Sequence, residues 1–178
     1  MTFTPGEAYS NAKDWLKFAE AKNAAAVALC AVILPFLVSA VGSKQVFYQF
    51  YGWVCLPFIC LGLFLALLSF LPRLTKIPYL EMLPSPNESN SVDYRPSLIF
   101  FQDVKDISAE VFLERCREVH SGAAFSRIDE DFIVQVHSLA GITAKKMKLF
   151  SWSLRLVICG IFTPIAALAL IVIWKNND

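Results

Sequence analysis

The chain has 178 residues, of which 56% are hydrophobic and only 17% charged, and its formal net charge is +1. Soluble domains run nearer about 45–50% apolar and about 25% charged, so an ordinary soluble domain is excluded. A balance this close to neutral gives no electrostatic footing for bulk nucleic-acid binding.

The apolar excess is concentrated in three windows, Asn23–Ser43, Gln45–Pro72 and Leu156–Trp174, each without Asp, Glu, Lys or Arg. Each is close to or above the roughly 20 residues that carry a helix across a bilayer core. No period-two alternation runs through them, so they read as helices and not barrel strands. The first window is not expected to be a cleaved signal peptide. Its apolar run is too long, and a polar amphipathic segment precedes it. Nor does the rest of the chain suffice to bury three such helices in a soluble core. The expected fold class is an all-α membrane protein with three transmembrane helices and a small cytosolic helical region.

Residues 1–22 are expected to form a cytosolic amphipathic helix. Thr4-Pro5-Gly6-Glu7 has the makings of a helix start, with a capping residue, a proline at the first helical position and a capping-box glutamate. Ala8, Ala12, Trp15, Leu16 and Ala19 then recur at helical spacing on one side. Nothing breaks the helix before residues 23–43, the first span, and Lys22 can snorkel to the headgroups. Residues 44–50 are expected as a short outer hairpin. Phe47, Tyr48, Phe50, Tyr51 and Trp53 form an aromatic belt where the chain re-enters the bilayer. Residues 51–72 form the second span, and a Pro-rich cytosolic linker follows at 73–97.

Residues 98–148 are expected to be helical, with starts near Asp106–Glu110 and Ser126–Asp129. From Phe132 onward Val136, Leu139, Ala140, Thr143 and Met147 keep a helical period. This helix is expected to continue into the third span, 149–174, leaving an outer tail at 175–178. Pro35, Pro57 and Pro164 fall inside the spans. Each frees a carbonyl one turn earlier that a neighbouring helix or water must satisfy. Lys13, Lys17, Lys22, Arg73, Lys76, Lys145, Lys146 and Lys148 flank the spans on one side, against Lys44 and Lys175 on the other. The asymmetry puts the N-terminus and the central region in the cytoplasm.

Few residues suggest chemistry. Cys30, Cys55, Cys60 and Cys159 lie in apolar sequence and act there as small hydrophobes. Cys116 stands alone in polar sequence. No CxxC pair or Cys/His cluster points to zinc, and no metal, cofactor or catalytic residue is expected. His120 and His137 read as satisfied or solvated. The acidic run Asp129-Glu130-Asp131 reads as a favourable helix N-terminus. With no charge inside the three windows, an ion or proton path has no support. Arg115, Arg117 and Arg127 are the best candidates for an anionic ligand, since guanidinium forks match phosphate. The alternative is a solvated helix face, paired with Glu110, Glu114 and Glu118.

Several motifs in order resemble a bacterial membrane family, the Pycsar effectors of the transmembrane type. The family opens its first span with a stretch like ADxKAxxLL, here Ala19-Glu20-Ala21-Lys22-Asn23-Ala24-Ala25, with Glu20 in place of the usual Asp. Pro72-Arg73 follows the second span, and the aromatic pair Phe100-Phe101 follows the linker. A closing pattern, Leu139-Ala140-Gly141-Ile142 followed by Lys146, Phe150 and Leu154, leads into the third span, with Gly141 a departure. Glu20, Lys22 and Lys146 are therefore the residues of a membrane-entry motif. The resemblance implies a non-enzymatic effector of an anti-phage system in the bacterial inner membrane. A partner nucleotide cyclase would supply a cyclic pyrimidine mononucleotide, cyclic CMP or cyclic UMP. The effector, as a homo-oligomer in the lipid bilayer, would impair the membrane and abort infection. The competing reading is a membrane scaffold that recruits a partner through residues 98–148.

Overall fold

The computed structural model describes residues 4–71, 97–98, 100–120 and 126–177. It contains five helices: α1 (Pro5–Val41), α2 (Val46–Leu68), α3 (Phe101–Asp106), α4 (Ala109–Val119) and α5 (Arg127–Asn177). Among the described residues there is no β-strand. Three helices are long and apolar enough to cross a membrane, namely α1, α2 and α5. At about 1.5 Å rise per residue, the 23 residues of α2 alone extend roughly 34 Å, enough for a hydrocarbon core about 30 Å thick. The protein is an all-α membrane protein. Pro72-Arg73 and nearly all of the expected linker lie outside the described residues.

The chain divides into two compact units, one of residues 1–21 and 72–148 and the other of 22–71 and 149–178. α1 and α5 are each single helices that contribute residues to both.

The first unit is organised by an apolar core of Ala12, Val104, Phe112, Cys116, Ile133, Val136 and Ala140. Ala12 is small enough to let α1 approach this core closely, and larger rings close the edges. Tyr9 stacks on Phe132 at 5.2 Å between centroids, and Trp15 meets Phe101 at 6.0 Å. Phe132 thus lies beside the buried stripe of α5, which the sequence period had it lead; Ile133 takes the buried position. A turn closed by Ser97 Oγ accepting from Phe100 N, and Asp103 accepting from Ser97 N, sets the ring pair Phe100-Phe101 at the start of α3. Ser108 caps α4 by accepting from Val111 N at 3.4 Å. His137 Nε2–H donates to the Ile107 carbonyl at 2.8 Å and ties α5 to the turn before that cap.

The second unit packs through small residues. On α2 the buried positions are Gly52, Cys55, Ile59, Gly62 and Ala66, alternating spacings of three and four. This is the seam of a left-handed helix pair, with glycine where side chains would hold backbones apart. A Cβ at Gly62 would lie 3.2 Å from the Ser153 carbonyl oxygen, and one at Gly52 would lie 2.9 Å from the Val41 backbone nitrogen. The close approach is fastened by side-chain donors on backbone carbonyls. Ser153 Oγ donates to Gly62 O at 2.7 Å, Cys55 Sγ to Gly160 O at 2.9 Å, and Tyr51 Oη to Ile161 O at 3.4 Å. The Cys55 bond answers a specific need. Pro164 has no N–H to give the carbonyl one turn before it, which is that of Gly160. α5 passes through Pro164 without a break because the α2 thiol supplies the missing donor.

Two glycines in α5 predict opposite outcomes. A Cβ at Gly160 would stand 2.8 Å from Phe58 Cβ, whereas one at Gly141 meets nothing within 4 Å. Gly160→Leu is expected to cost roughly 1–3 kcal/mol through overpacking. Gly141→Ala is expected to add roughly 0.5–1 kcal/mol through helix propensity. Thermal unfolding of both variants in detergent micelles measures the difference.

Candidate functional site

Glu20 and Lys146, far apart in sequence and belonging to two separate motifs, meet in the first unit. Lys146 Nζ donates to Glu20 Oε1 at 2.6 Å. Lys146 sits on the buried stripe of α5 after Val136, Ala140 and Thr143, so its ammonium is drawn into a packed seam by helical spacing alone. Its side chain is 10% exposed and that of Glu20 45%. Removing one partner of such a pair costs more than removing one partner of a surface ion pair, because the shielded charge is left uncompensated. In the second unit Lys22 Nζ lies 5.5 Å from the centre of the Phe150 ring. Each member of the membrane-entry motif on α1 therefore has a partner from the closing motif on α5.

The arginines are distributed differently. Arg117 of α4 pairs with Glu130 of α5, with both side chains substantially exposed. This cross-helix pair takes the place of the same-helix pairs with Glu110, Glu114 and Glu118, which are not among the ion pairs of the described residues. Arg127 is exposed and is the first residue of α5. Arg115 is half-buried and stands two positions from Arg117, about 200° round the helix. Arg117 and Arg127 thus gather near the start of α5, and Arg115 lies on another face of α4.

That start is built by a reciprocal cap. Ser126 Oγ accepts from Asp129 N at 3.2 Å and donates to Asp129 Oδ2 at 2.7 Å, while Ser126 N donates to the same oxygen at 3.0 Å. These donors hold the Asp129 carboxyl below the usual carboxylate range. Burial pushes the Cys116 thiol up to about 12, which leaves it protonated and unreactive in the core. Lys148 is held below the usual ammonium range by burial and by the positive charge of Lys105. Among the described residues no group of three or more His, Cys, Asp or Glu side chains is arranged to hold a metal.

The sequence reading passed over Arg155, which stands just before the third charge-free window and inside the expected span 149–174. It is exposed, and its guanidinium lies 5.3 Å from the centre of the Trp152 ring. The Arg155/Trp152 spacing of three was the available signal.

A family model for the Pycsar effector protein domain matches residues 6–173, which takes in both halves of the Glu20–Lys146 pair. The chain belongs to the Pycsar effector family. No curated protein and no solved structure matches it. Family membership gives this Pycsar effector a role in anti-phage defence, and its three apolar helices make it a membrane protein.

Two measurements check the site. Glu20→Lys and Lys146→Glu are each expected to destabilise the effector by about 1–2 kcal/mol, and the two together are expected to recover at least half of the summed loss, as read by a double-mutant cycle. Ser126→Ala is expected to lower the melting temperature by roughly 2–4 °C at neutral pH. A depressed carboxyl contributes stability above its ordinary pKa of 3.8 and loses it as pH falls. The Ser126→Ala deficit should therefore shrink in melts run progressively below that pH.

Proposed function

We propose that this Pycsar effector is a non-enzymatic protein of the bacterial inner membrane, with its N-terminus cytoplasmic, that breaches the membrane when infection is signalled. The signal is a cyclic pyrimidine mononucleotide, cyclic CMP or cyclic UMP, made by a partner cyclase, and the outcome is abortive infection. The observation that carries this reading is the continuity of α1 and α5. Each is one helix that begins among charged, water-compatible residues and continues without a break into a long apolar stretch. A change in how α1 packs on α5 in the first unit cannot be absorbed by a loop before the spans begin.

The Glu20–Lys146 pair supports the same reading, since it fixes the register of the two helices where they leave the polar sequence. Arg117 and Arg127 at the start of α5, with Arg115 on α4, are the donors offered to the nucleotide phosphate. A ligand shifts an equilibrium only by its preference for one arrangement. It must therefore bind the open packing better than the closed one, and a homo-oligomer provides the subunits between which the packing changes.

In cells expressing the protein, uptake of a membrane-potential dye is expected to collapse within minutes of adding cyclic CMP or cyclic UMP or inducing an active cyclase. Arg117→Gln and Arg127→Gln are expected to raise the required nucleotide concentration at least tenfold. An unchanged potential under every condition, with the protein recovered in the membrane fraction, would replace this reading with that of a scaffold.

A further inference from the structure

Arg155 is a charge in a place that disfavours charge. In the second unit, Lys22 over the ring of Phe150 marks where the charged stretch of α5 gives way to apolar sequence. Arg155 lies five residues further on, roughly 7.5 Å deeper at about 1.5 Å per residue. It is exposed and shares its helix face with Ile158, Phe162 and Ile165, all exposed and apolar. In a membrane-spanning helix such a face meets lipid. A guanidinium there has two remedies, to reach back to the interface or to find a counter-charge.

The side chain takes the first. Helical side chains lean toward the N-terminus, and the Arg155 guanidinium lies over the ring of Trp152, one turn back toward the polar end. The cation–π contact steadies the planar group against the indole face. It leaves the edge of the fork, where the N–H donors point, available to a ligand. Trp152 Nε1 is buried and without a hydrogen-bond partner, so the indole contributes its face to the site and not its N–H. Arg155 makes no ion pair with a carboxylate among the described residues. The counter-charge is not supplied by that part of the protein.

We propose that Arg155 and Trp152 form a binding site for the phosphodiester of a phospholipid headgroup. The guanidinium edge donates to two phosphate oxygens, the indole holds the guanidinium flat, and the acyl chains lie along Ile158 and Phe162. Such a site binds a lipid of net negative charge best, since a zwitterionic headgroup carries its own ammonium to compete for the phosphate. The inference rests on α5 spanning a membrane, not on any nucleotide signal.

The test uses the full chain purified in detergent with phosphatidylglycerol as the probe, exchanged into a delipidating detergent, and examined by native mass spectrometry. The wild-type protein is expected to keep one phosphatidylglycerol per chain. Arg155→Gln is expected to lose it at least tenfold, and Arg155→Lys, which keeps charge without the fork, to fall between them. Circular dichroism of Arg155→Gln is expected to match the wild type, since the change removes only a lipid-facing charge. Equal retention by Arg155→Gln and the wild type, or wild-type protein that emerges without lipid, would overturn the proposal. Neither result bears on depolarisation by cyclic nucleotides, so the two readings fail separately.

Discussion

The carbonyl of Gly160 is the point on which the apolar half of the molecule depends. Hydrocarbon offers no water to a backbone oxygen, and Pro164 removes the N–H that would have satisfied it. The thiol of Cys55 does so instead at 2.9 Å. This is possible because Gly160 has no side chain to keep α2 away. The same logic recurs two seam positions along, where Ser153 donates to the carbonyl of Gly62 at 2.7 Å. Glycine creates the approach and a small polar side chain uses it. Between helices in lipid, where burying apolar surface gains little over leaving it against acyl chains, such contacts and close packing supply the association energy.

Charge is handled by position. α1 makes its last ionised contacts at Glu20 and Lys22, and α5 answers with Lys146 and with the ring of Phe150. Lys146 is buried by helical period and pairs with a carboxylate that still reaches water. Arg117 and Glu130, both well exposed, are coupled more weakly and are the easier pair for a competing anion to open. That difference is why the arginines are proposed for the ligand, and Glu20 with Lys146 for the register of the helices.

Much of the architecture was legible because helices in membranes carry their signal in composition. Three charge-free windows located the apolar helices, and the uninterrupted period from Phe132 onward foretold that α5 would enter the last of them as one helix. The proline problem was legible too, though its solution was not. Nothing in the sequence pairs Cys55 with Gly160, because that contact depends on how α2 and α5 align. The Glu20–Lys146 pair was half legible: resemblance singled out both residues, but only packing brings them to 2.6 Å. Cys116 looked like a lone polar-region thiol and is instead core, since α4 turns it inward with Phe112. Arg155 was missed because the apolar window was drawn from the residue after it. Arg115 and Arg117 are only two positions apart in sequence yet lie on different faces of α4, a consequence of helical geometry.

In the proposed function, α1 and α5 are the elements through which a small cyclic nucleotide acts on a membrane, and the Glu20–Lys146 region is the place where its effect must register. Hydrogen exchange of the full protein in lipid nanodiscs, with and without cyclic CMP or cyclic UMP, tests this most directly. The expected result is that one nucleotide changes amide protection on α1 around Glu20 and on α5 around Lys146, alongside the start of α5. Protection unchanged at all three places with either nucleotide would contradict it.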